Sequence, residues 1–578
     1  MNYEVLKKHM MLFSTVSLKS YLGNDLVETL LEWDMGSEPI MTKKRLSELI
    51  IGIYGLSILK EKSFRKDLIK TFSFECIMEF RNDLPDKYKS ENDPVTIVEV
   101  VSNLSWMESN ANIRLLKYLG YVASDVFGKK EKDTQSVVNI ESFGKFYELL
   151  DYQYIIRQRA LNILNSGYDL RRFLIHMPTG TGKTKTAMHI ICQYFNYSLH
   201  KNGLIVWIAH TTELLQQAFD TFSDVWRSIG NGKTNIYKLW GGYKLPDSVD
   251  ELSGMMICGI QKLESLMNNN KNVFNVIARN ARLIVYDEAH KASATESKNV
   301  IEAMMNRQGG LLDRALMGLS ATPGRATELN VSNDILVSMF GNKIIGIDTK
   351  LMNQVNMSAQ EAANADVEMD VIKYFQNRGI LAKIIKEQLT YEENISDSEI
   401  EKIRIIATDN GYDDFSRSTL EMIGRNKKRN QRILSRLIQL NEERKPTIVF
   451  ACSVKHGRLL SSMLRLKGVS NALIIGSMSP LERKELIARF KDSNDDLNIL
   501  INYEVLTTGF DATNIECVFI ARPTQSIVLY SQMLGRGLRG PQMGGKEKCL
   551  LIDVKDNLKQ FNENMAFSHF NDYWTIGG

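Results

Sequence analysis

The stretch Phe173-Leu174-Ile175-His176-Met177-Pro178-Thr179-Gly180-Thr181-Gly182-Lys183-Thr184 decides the fold of this chain. Its first four residues form a mostly apolar run that predicts a buried strand, and Thr186–Ile191 has the composition of a helix. A glycine-rich loop that joins a strand to a helix is typical of α/β domains with parallel sheets. Because similar apolar runs recur along the chain, we predict an α/β fold.

The glycine-rich loop has the residue types that bind the phosphates of a nucleoside triphosphate. Gly180 and Gly182 allow the backbone to curl and direct its N–H groups at phosphate oxygens. Lys183 is predicted to reach the β- and γ-phosphates, and Thr184 to hold Mg²⁺. Met177 stands where the first glycine of this motif is usual, so an accidental turn is the alternative, which the preceding strand disfavours. The predicted phosphate-binding residues are Thr179, Gly180, Thr181, Gly182, Lys183 and Thr184.

Two adjacent acids, Asp287 and Glu288, directly follow the apolar run Leu283–Tyr286. A carboxylate at the carboxyl end of a parallel strand points into the crevice where nucleotides bind. Asp287 is therefore predicted to bind Mg²⁺ through water, and Glu288 to orient and deprotonate an attacking water. Adjacent acids also occur on solvated turns, and the preceding strand is what favours the functional interpretation. His290 is placed to connect this site to neighbouring segments.

The bulk composition is that of a globular protein. Of its 578 residues, 44% are hydrophobic and 24% charged, and the net charge of +4 allows binding to a polyanion without demonstrating it. The six cysteines form no CxxC pair, which disfavours a disulfide framework or a zinc site. The apolar patch Met10–Val16 is too short for a transmembrane helix. We therefore expect a cytoplasmic protein that does not act on a membrane.

The pattern of apolar residues changes along the chain. Apolar residues at i, i+3 and i+4 in Leu26–Leu31 and Arg45–Ile51 predict helices near the start. Short runs rich in β-branched residues, such as Gly203–Ala209 and Cys517–Ile520, predict buried strands farther on. The predicted units are a mostly helical accessory domain (1–150), a first α/β lobe (151–349), a helical connector (350–440) and a second α/β lobe (441–578).

Several further segments resemble the motifs of superfamily-two helicases and translocases of the DEAH-box kind, in the order expected for that family. The resemblance covers about residues 151–556. Within the superfamily, the pattern is most similar to restriction-enzyme motor subunits and to bacterial DNA-repair or phage-defence helicases. The segments are Ala209–Leu214 (motif Ia), Gly259–Leu263 (Ib), Asp287–His290 (II), Ser320–Pro323 (III), Val449–Ser453 (IV), Leu506–Asp511 (V) and Gln532–Arg539 (VI).

The resemblance implies two RecA-like parallel-sheet lobes that close on ATP and Mg²⁺. It implies that Lys183 and Glu288 act together with Gln532, Arg536 and Arg539 of the second lobe. The two guanidinium groups would stabilise charge on the transferring phosphoryl group, so that hydrolysis requires closed lobes. The alternative for the two arginines is a pair of surface residues beside a glycine-rich turn. Further nucleotide contacts are implied for Gln158, Gly509 and Asp511.

The resemblance also implies contacts to the phosphates of a nucleic acid, made by backbone N–H and hydroxyl groups. A threonine at a strand end is more often a helix cap than a ligand, so only the motif order favours these positions. The basic run Arg425–Arg429 could add phosphate contacts, although a solvated helix face is favoured. The candidate residues are Thr211, Thr212, Gln261, Ser453, Thr507 and Thr508.

The resemblance favours DNA over RNA as the polymer, and unwinding is not distinguished from translocation on a duplex. An RNA helicase, or an ATPase switch that senses nucleic acid and signals to an effector, remains an alternative. The segment Asp93–Val101 has the outline of a restriction-type nuclease core, but Val101 stands where the lysine should be, which favours a plain strand or helix. We therefore expect any cleavage activity in a partner nuclease or effector recruited by residues 1–150.

Overall fold

The structure is a computed structural model. It describes residues 3–32, 41–127, 136–144, 147–167, 170–245, 251–305, 314–324, 330–348, 371–391, 414–506, 512–524, 526–555 and 575–576. None of the helices in these ranges is long and apolar enough to cross a bilayer.

The first lobe is built on a nine-stranded sheet with the order β1-β4-β5-β3-β6-β7-β2-β8-β15. All neighbouring strands are parallel except β1, which runs antiparallel to β4. The strands are β1 (Val137–Glu141), β2 (Arg172–His176), β3 (Leu204–Ala209), β4 (Lys233–Leu239), β5 (Gly254–Gly259), β6 (Ala281–Asp287), β7 (Ala315–Ser320), β8 (Lys343–Ile345) and β15 (Thr575–Ile576).

Helices cover both faces of this sheet, as continuous apolar strands require. Every residue of β3, β5 and β7 is buried. Strand β7 lies between β2 and β6, so the loop after His176 and the acids at Asp287 emerge at the same edge of the sheet, one strand apart. The helices are α10 (Asp151–Leu164), α11 (Lys183–Gln193), α12 (Thr212–Ile229), α13 (Ile260–Asn269), α14 (Lys271–Asn280), α15 (Thr295–Met305) and α16 (Asn330–Met339).

The second lobe has a six-stranded parallel sheet with the order β11-β12-β10-β13-β14-β9. Its strands are β9 (Lys383–Leu389), β10 (Thr447–Phe450), β11 (Asn471–Ile474), β12 (Ile499–Asn502), β13 (Cys517–Ile520) and β14 (Lys548–Val554). Its helices are α17 (Val371–Asn377), α18 (Arg417–Gly424), α19 (Lys427–Glu442), α20 (Val454–Leu466), α21 (Pro480–Lys491) and α22 (Ile527–Leu534). The two sheets confirm the predicted pair of RecA-like lobes.

Strand β9 differs from the helical connector expected over 350–440. It pairs with β14 along its whole length and forms the edge of the second sheet. Only Leu389 in this strand is buried, and the sequence Lys-Ile-Ile-Lys-Glu-Gln-Leu carries charges on its exposed positions. An exposed edge strand needs no continuous apolar run, which is why its composition resembles that of a solvated helix.

The N-terminal region is helical, as predicted, and includes short 3₁₀ helices at Phe80–Asp83 and Asp86–Tyr88. Asp93 caps helix α7 by accepting from the backbone N–H groups of Val95 and Thr96 at 3.1 and 3.0 Å. The acid is thus a helix cap, in line with the simpler interpretation of this segment. The helices are α1 (Glu4–Met10), α2 (Thr15–Leu22), α3 (Asn24–Glu32), α4 (Lys43–Tyr54), α5 (Lys62–Ile69), α6 (Phe74–Glu79), α7 (Pro94–Asn103), α8 (Asn110–Tyr118) and α9 (Ala123–Phe127).

The N-terminal domain packs on the second lobe and shares a core with it. Helix α4 lies against α20 and β11, and apolar residues of both domains form one continuous cluster. The buried carboxylate of Glu482 accepts from the backbone N–H of Leu56 at 2.7 Å and from the hydroxyl of Tyr3 at 3.1 Å. Arg465 adds a bond to the carbonyl of Gly52 at 3.4 Å. These contacts attach the N-terminal domain to the second lobe.

Candidate nucleotide and nucleic-acid site

The glycine-rich loop adopts the curled shape expected of it. Gly180 and Gly182 have φ values of +90° and +80°, which only glycine reaches without strain. The hydroxyl of Thr181 donates to the carbonyl of Pro178 at 2.7 Å and closes the turn. Helix α11 begins at Lys183, directly after Gly182, so its unpaired N–H groups and partial positive charge face the loop. The loop can therefore bind phosphate.

The position of the Met177 side chain explains why a glycine is not required at the start of the loop. Its side chain is fully buried in the core of the first lobe, and its N–H donates to the carbonyl of Ser320 at 3.2 Å. The residue thus extends the pairing of β2 with β7 by one position. A side chain that points into the core leaves the phosphate face of the loop open.

Two residues of α10 donate hydrogen bonds to the phosphate loop, and neither was predicted from the sequence. The hydroxyl of Tyr152 and the Nε2 group of Gln153 donate to the carbonyl of Thr181 at 2.7 and 3.0 Å. Gln153 also accepts from the backbone N–H of Leu150 at 3.0 Å, which caps α10. A glutamine in the first turn of the helix before the loop was the signal available in the sequence.

Gln158, the glutamine predicted to contact the nucleotide, lies farther along α10. Its Nε2 group donates to the hydroxyl of Tyr154 at 2.9 Å, one helical turn earlier. A separation of five residues rotates the side chain away from Gln153 on the helix, because neighbours on one face are three or four residues apart. The structure therefore brings Gln153, and not Gln158, to the loop.

Asp287 is buried at the end of β6, and Glu288, the next residue, is partly buried. Asp287 accepts from the N–H of Glu288 at 3.0 Å, and Glu288 has a φ of +54° that turns its side chain out of the strand direction. Burial, together with the neighbouring Glu288 charge, raises the pKa of Asp287 above its usual range. Burial alone would raise the pKa of Glu288 as well, but Lys183 and other nearby cations lower it. The protonated form is thus favoured for Asp287, whereas the ionised form is favoured for Glu288.

The site suits Mg²⁺ held in the manner of phosphate-transfer enzymes. In the parts of the chain that the structure describes, no three metal-binding side chains cluster into a closed cage. Mg²⁺ needs none, because it keeps several waters and takes its remaining ligands from one or two protein groups and the substrate phosphates. The hydroxyl of Thr184 and the carboxylate of Asp287 have the chemistry for those ligands. A buried carboxylate whose pKa is raised by burial also gains from a nearby cation.

His290 lies between the acids and the second lobe. Its Nδ1 atom is 3.4 Å from Glu288 Oε2 and 3.5 Å from the hydroxyl of Ser320, at the end of β7. Its Nε2 atom is 3.5 Å from Nε2 of Gln532 in α22. Burial lowers the pKa of His290 to about 3, so the ring is neutral. These contacts connect the water-activating acid with a side chain of the other lobe.

The glycine-rich segment after α22 lies on the phosphate loop. A Cβ atom placed on Gly535 would stand 2.7 Å from Cβ of Thr179, so only glycine fits this approach. Cγ of Arg539 lies 3.6 Å from the position that a Cβ would take on Gly180. Arg536 is close enough to Glu288 for its charge to lower the pKa of that acid. The structure therefore brings Arg539 to the phosphate loop and Arg536 near Glu288.

The predicted nucleic-acid residues lie at the starts of helices that follow parallel strands. Thr211 caps α12 by accepting from the N–H of Leu214 at 3.3 Å, and Ser453 caps α20 by accepting from His456 at 3.1 Å. Thr212 and Gln261 are exposed in the first turns of α12 and α13. Four residues of motif V that were predicted to bind nucleotide or nucleic acid lie outside the described residues, namely Thr507, Thr508, Gly509 and Asp511.

The basic run Arg425–Arg429 is divided by its helix. Arg429 is fully buried and donates to the carbonyl of Ala521 at 2.7 Å, so it holds α19 against the second sheet. Arg425 and Lys427 are exposed, and Lys427 donates to the carbonyl of Glu32 in the N-terminal domain at 3.0 Å. Part of this run therefore has a structural role.

Two family models match the chain in the regions of the two lobes. Residues 146–325 match the res subunit of type III restriction enzymes, and residues 429–540 match the helicase conserved C-terminal domain. The chain is therefore similar to helicases and translocases of superfamily two. Its two lobes and the order of its motifs agree with this similarity.

Curated relatives extend the comparison across both lobes. IRC3 of Saccharomyces cerevisiae, named as an ATP-dependent helicase, is 26% identical over 411 residues, which are 70% of this chain and 51% of that protein. A mitochondrial relative from Schizosaccharomyces pombe is 24% identical over 72% of this chain and 58% of its own length. The chain thus spans about half the length of the curated relatives it matches.

Two more similarities are to a restriction-enzyme subunit and to a helicase domain of known structure. The type I restriction enzyme EcoAI endonuclease subunit of Escherichia coli is 21% identical over 71% of this chain and 46% of that protein. Among solved structures, the Hef helicase domain of Pyrococcus furiosus is 15% identical with a TM-score of 0.41, and the match covers 70% of this chain and 95% of that one.

Proposed function

We propose that this chain couples ATP hydrolysis to movement on DNA, as an ATP-dependent helicase or translocase. The observation that carries the proposal is the meeting of both lobes at one loop. Gly535 and Arg539 of the second lobe lie against Thr179 and Gly180, while Asp287 emerges beside the same loop from the first sheet. A site completed only by two lobes makes hydrolysis depend on their relative position.

The residues divide the chemistry between them. Lys183 and the N–H groups of the loop hold the β- and γ-phosphates, and Thr184 and Asp287 hold Mg²⁺. Mg²⁺ bound there neutralises charge on the phosphates. Glu288 orients the attacking water and accepts its proton, because its carboxylate is kept ionised by the surrounding cations.

The arginines of the second lobe complete the site. Arg536 and Arg539 stabilise the charge that develops on the transferring phosphoryl group, an effect of about 10³–10⁵ in rate, or about 4–7 kcal/mol of barrier. Gln532 beside His290 transmits the presence of the γ-phosphate to the second lobe. Hydrolysis and release then separate the lobes, and the strand bound across them advances.

DNA is the proposed polymer. Relatives that match about 70% of the chain include the EcoAI endonuclease subunit and the DNA helicase UvsW of phage T4, whereas the RNA helicases match only 18–24% of it. Thr211, Thr212, Gln261 and Ser453 lie at helix starts, where N–H groups and hydroxyls bind phosphates. Thr507 and Thr508 are proposed to join them. Repair, restriction or phage defence is the proposed setting.

The N-terminal domain is proposed to recruit a partner nuclease or effector. Its acid at Asp93 caps a helix and does not form a nuclease core with Val101, so cleavage would come from another chain. The six cysteines are all free, which agrees with a reducing compartment, and we place the protein in the cytoplasm. Purified protein that cuts DNA unaided would contradict the partner proposal.

Polymer-stimulated ATP hydrolysis tests the proposed function. We expect single-stranded or duplex DNA to raise the ATPase rate at least tenfold, and Lys183→Ala to abolish it. Lys185→Ala is the matched control, because Lys185 carries the same charge two residues later but lies 4.0 Å over the ring of Tyr147. Stimulation by RNA alone would favour an RNA helicase. Stimulation by DNA without strand displacement or translocation would favour a sensing switch, and no stimulation by any polymer refutes the motor.

A further inference from the structure

An ion pair joins the two lobes beside the nucleotide site. Nη1 of Arg378 lies 2.9 and 2.8 Å from the two carboxylate oxygens of Asp151, and 2.6 Å from the hydroxyl of Tyr374. Asp151 is the first residue of α10 in the first lobe, whereas Arg378 follows α17 and leads into β9 of the second sheet. We call Arg378 and Asp151 the interlobe pair.

The first-lobe side of the interlobe pair leads directly to the phosphate loop. Asp151 accepts from the N–H of Tyr152 at 2.8 Å. Tyr152 is fully buried, and its hydroxyl donates to the carbonyl of Thr181 in the loop. Gln153, the next residue, donates to the same carbonyl. The first turn of α10 therefore connects Asp151 to the loop through consecutive residues.

The second-lobe side leads directly to motif VI. Residues 379–382 pair with residues 538–542 through three backbone bonds and an antiparallel bridge between Leu381 and Arg539. The bonds run from Ala382 N–H to the Leu538 carbonyl at 2.8 Å, from Gly540 N–H to the Ile380 carbonyl at 2.9 Å and from Gln542 N–H to the Gly379 carbonyl at 3.0 Å. A displacement of Arg378 would thus be passed to Arg539.

Apolar packing supports the interlobe pair and limits its exposure to water. The side chains of Arg378 and Asp151 retain 28% and 26% of their accessible surface. The rings of Tyr152 and Phe375, one from each side, meet edge to face with centroids 4.9 Å apart. Partial burial strengthens a charge pair compared with one in open solvent.

We propose that the interlobe pair positions the motif VI arginines over the phosphate loop when the lobes close. The inference rests on the proposed function and deepens it. Neither Arg378 nor Asp151 has a role in the chemistry assigned above, so both are positioning residues. Without the interlobe pair, the phosphate loop of the first lobe still binds ATP. The motif VI arginines, however, are positioned over the loop for a smaller fraction of the time. The expected result is a lower kcat with an unchanged KM.

A double-mutant cycle tests the coupling. We expect Arg378→Ala and Asp151→Asn each to lower the DNA-stimulated kcat about tenfold, within the range of measured site-to-site couplings, while KM for ATP changes less than about twofold. The double variant should be no slower than either single variant, because both remove the same interaction. Arg378→Lys keeps the charge and should recover most of the rate.

The second sheet offers a matched control. Arg436 in α19 makes two bonds to Glu387 in β9 at 2.7 and 2.8 Å, and its side chain is 16% exposed, but both residues belong to the second lobe. Arg436→Ala should leave kcat unchanged. Additive losses in the double variant, a raised KM in place of a lowered kcat, or an equal loss in Arg436→Ala would overturn the proposal.

A structural measurement separates this inference from the motor itself. Small-angle scattering with a non-hydrolysable ATP analogue should show a compact wild type and Arg436→Ala, and a more extended Arg378→Ala. This readout does not depend on hydrolysis or on the polymer. If neither DNA nor RNA stimulates ATP hydrolysis by the wild type, the proposed function is refuted. If all three proteins are equally compact, the proposed positioning role of the interlobe pair is refuted.

Discussion

Replacing Glu482 by alanine should weaken the attachment of the N-terminal domain to the second lobe. Its carboxylate is 3% exposed and accepts two bonds from the other domain, at 2.7 Å from Leu56 N–H and at 3.1 Å from the Tyr3 hydroxyl. Bonds to a charged group contribute about 1.5–3 kcal/mol each, and a buried N–H without an acceptor costs about 1–3 kcal/mol. Because these effects overlap, we expect a total loss of about 3–5 kcal/mol.

Hydrogen exchange followed by mass spectrometry is the assay, since it reports local opening and needs no two-state unfolding. A loss of about 3–5 kcal/mol should speed exchange of the α4 amides about 10²–10⁴-fold in Glu482→Ala. Glu482→Gln keeps one acceptor oxygen and should show a smaller effect. Lys484→Ala, an exposed change on the same helix, is the control. Equal α4 exchange in Glu482→Ala and Lys484→Ala would refute the reasoning.

Three other predictions concern the site and the second lobe. Gln153→Ala should raise KM for ATP about tenfold, whereas Gln158→Ala should change KM by less than about twofold. The opposite result in steady-state assays would show that Gln158 is the residue that contacts the nucleotide. Glu288→Gln should lower kcat about 10²–10⁴-fold while equilibrium binding of ATP is retained, and an unchanged kcat would remove Glu288 as the base. Burial lowers the pKa of His456 from 6.5 to about 3, so the unfolded chain gains a proton first and stability falls as pH drops below 6.5. His456→Gln should reduce the pH dependence of the opening free energy of α20, measured by hydrogen exchange between pH 6.5 and 4.5, by up to about 1.4 kcal/mol per pH unit.

Continuous apolar runs allowed the strands near the site to be predicted. Two of these strands, Leu204–Ala209 and Cys517–Ile520, are buried along their whole length. Strands buried on both faces have short, continuous apolar runs rich in β-branched residues, which makes them easy to identify in a sequence. The strand Lys383–Leu389 was missed because an edge strand is half solvated and carries charges. Local composition therefore indicates the centre of a sheet better than its edge.

The phosphate loop and the acids were predicted because their chemistry depends on adjacent residues. The choice between Gln153 and Gln158 depends instead on which face of α10 meets the loop, which composition does not indicate. The same limit applies to Arg429, whose burial depends on the distant carbonyl of Ala521. Contacts of the N-terminal domain were beyond prediction, because Leu56 and Glu482 are 426 residues apart.

That separation has a consequence for synthesis of the chain. At about 5–20 residues per second, a ribosome needs about 20–85 s to pass from Leu56 to Glu482, 426 residues later. During that time the surface of α4 that contacts α20 and β11 in the folded protein has no second lobe to cover it. We therefore expect the newly made N-terminal domain to bind chaperones until most of the protein has left the ribosome.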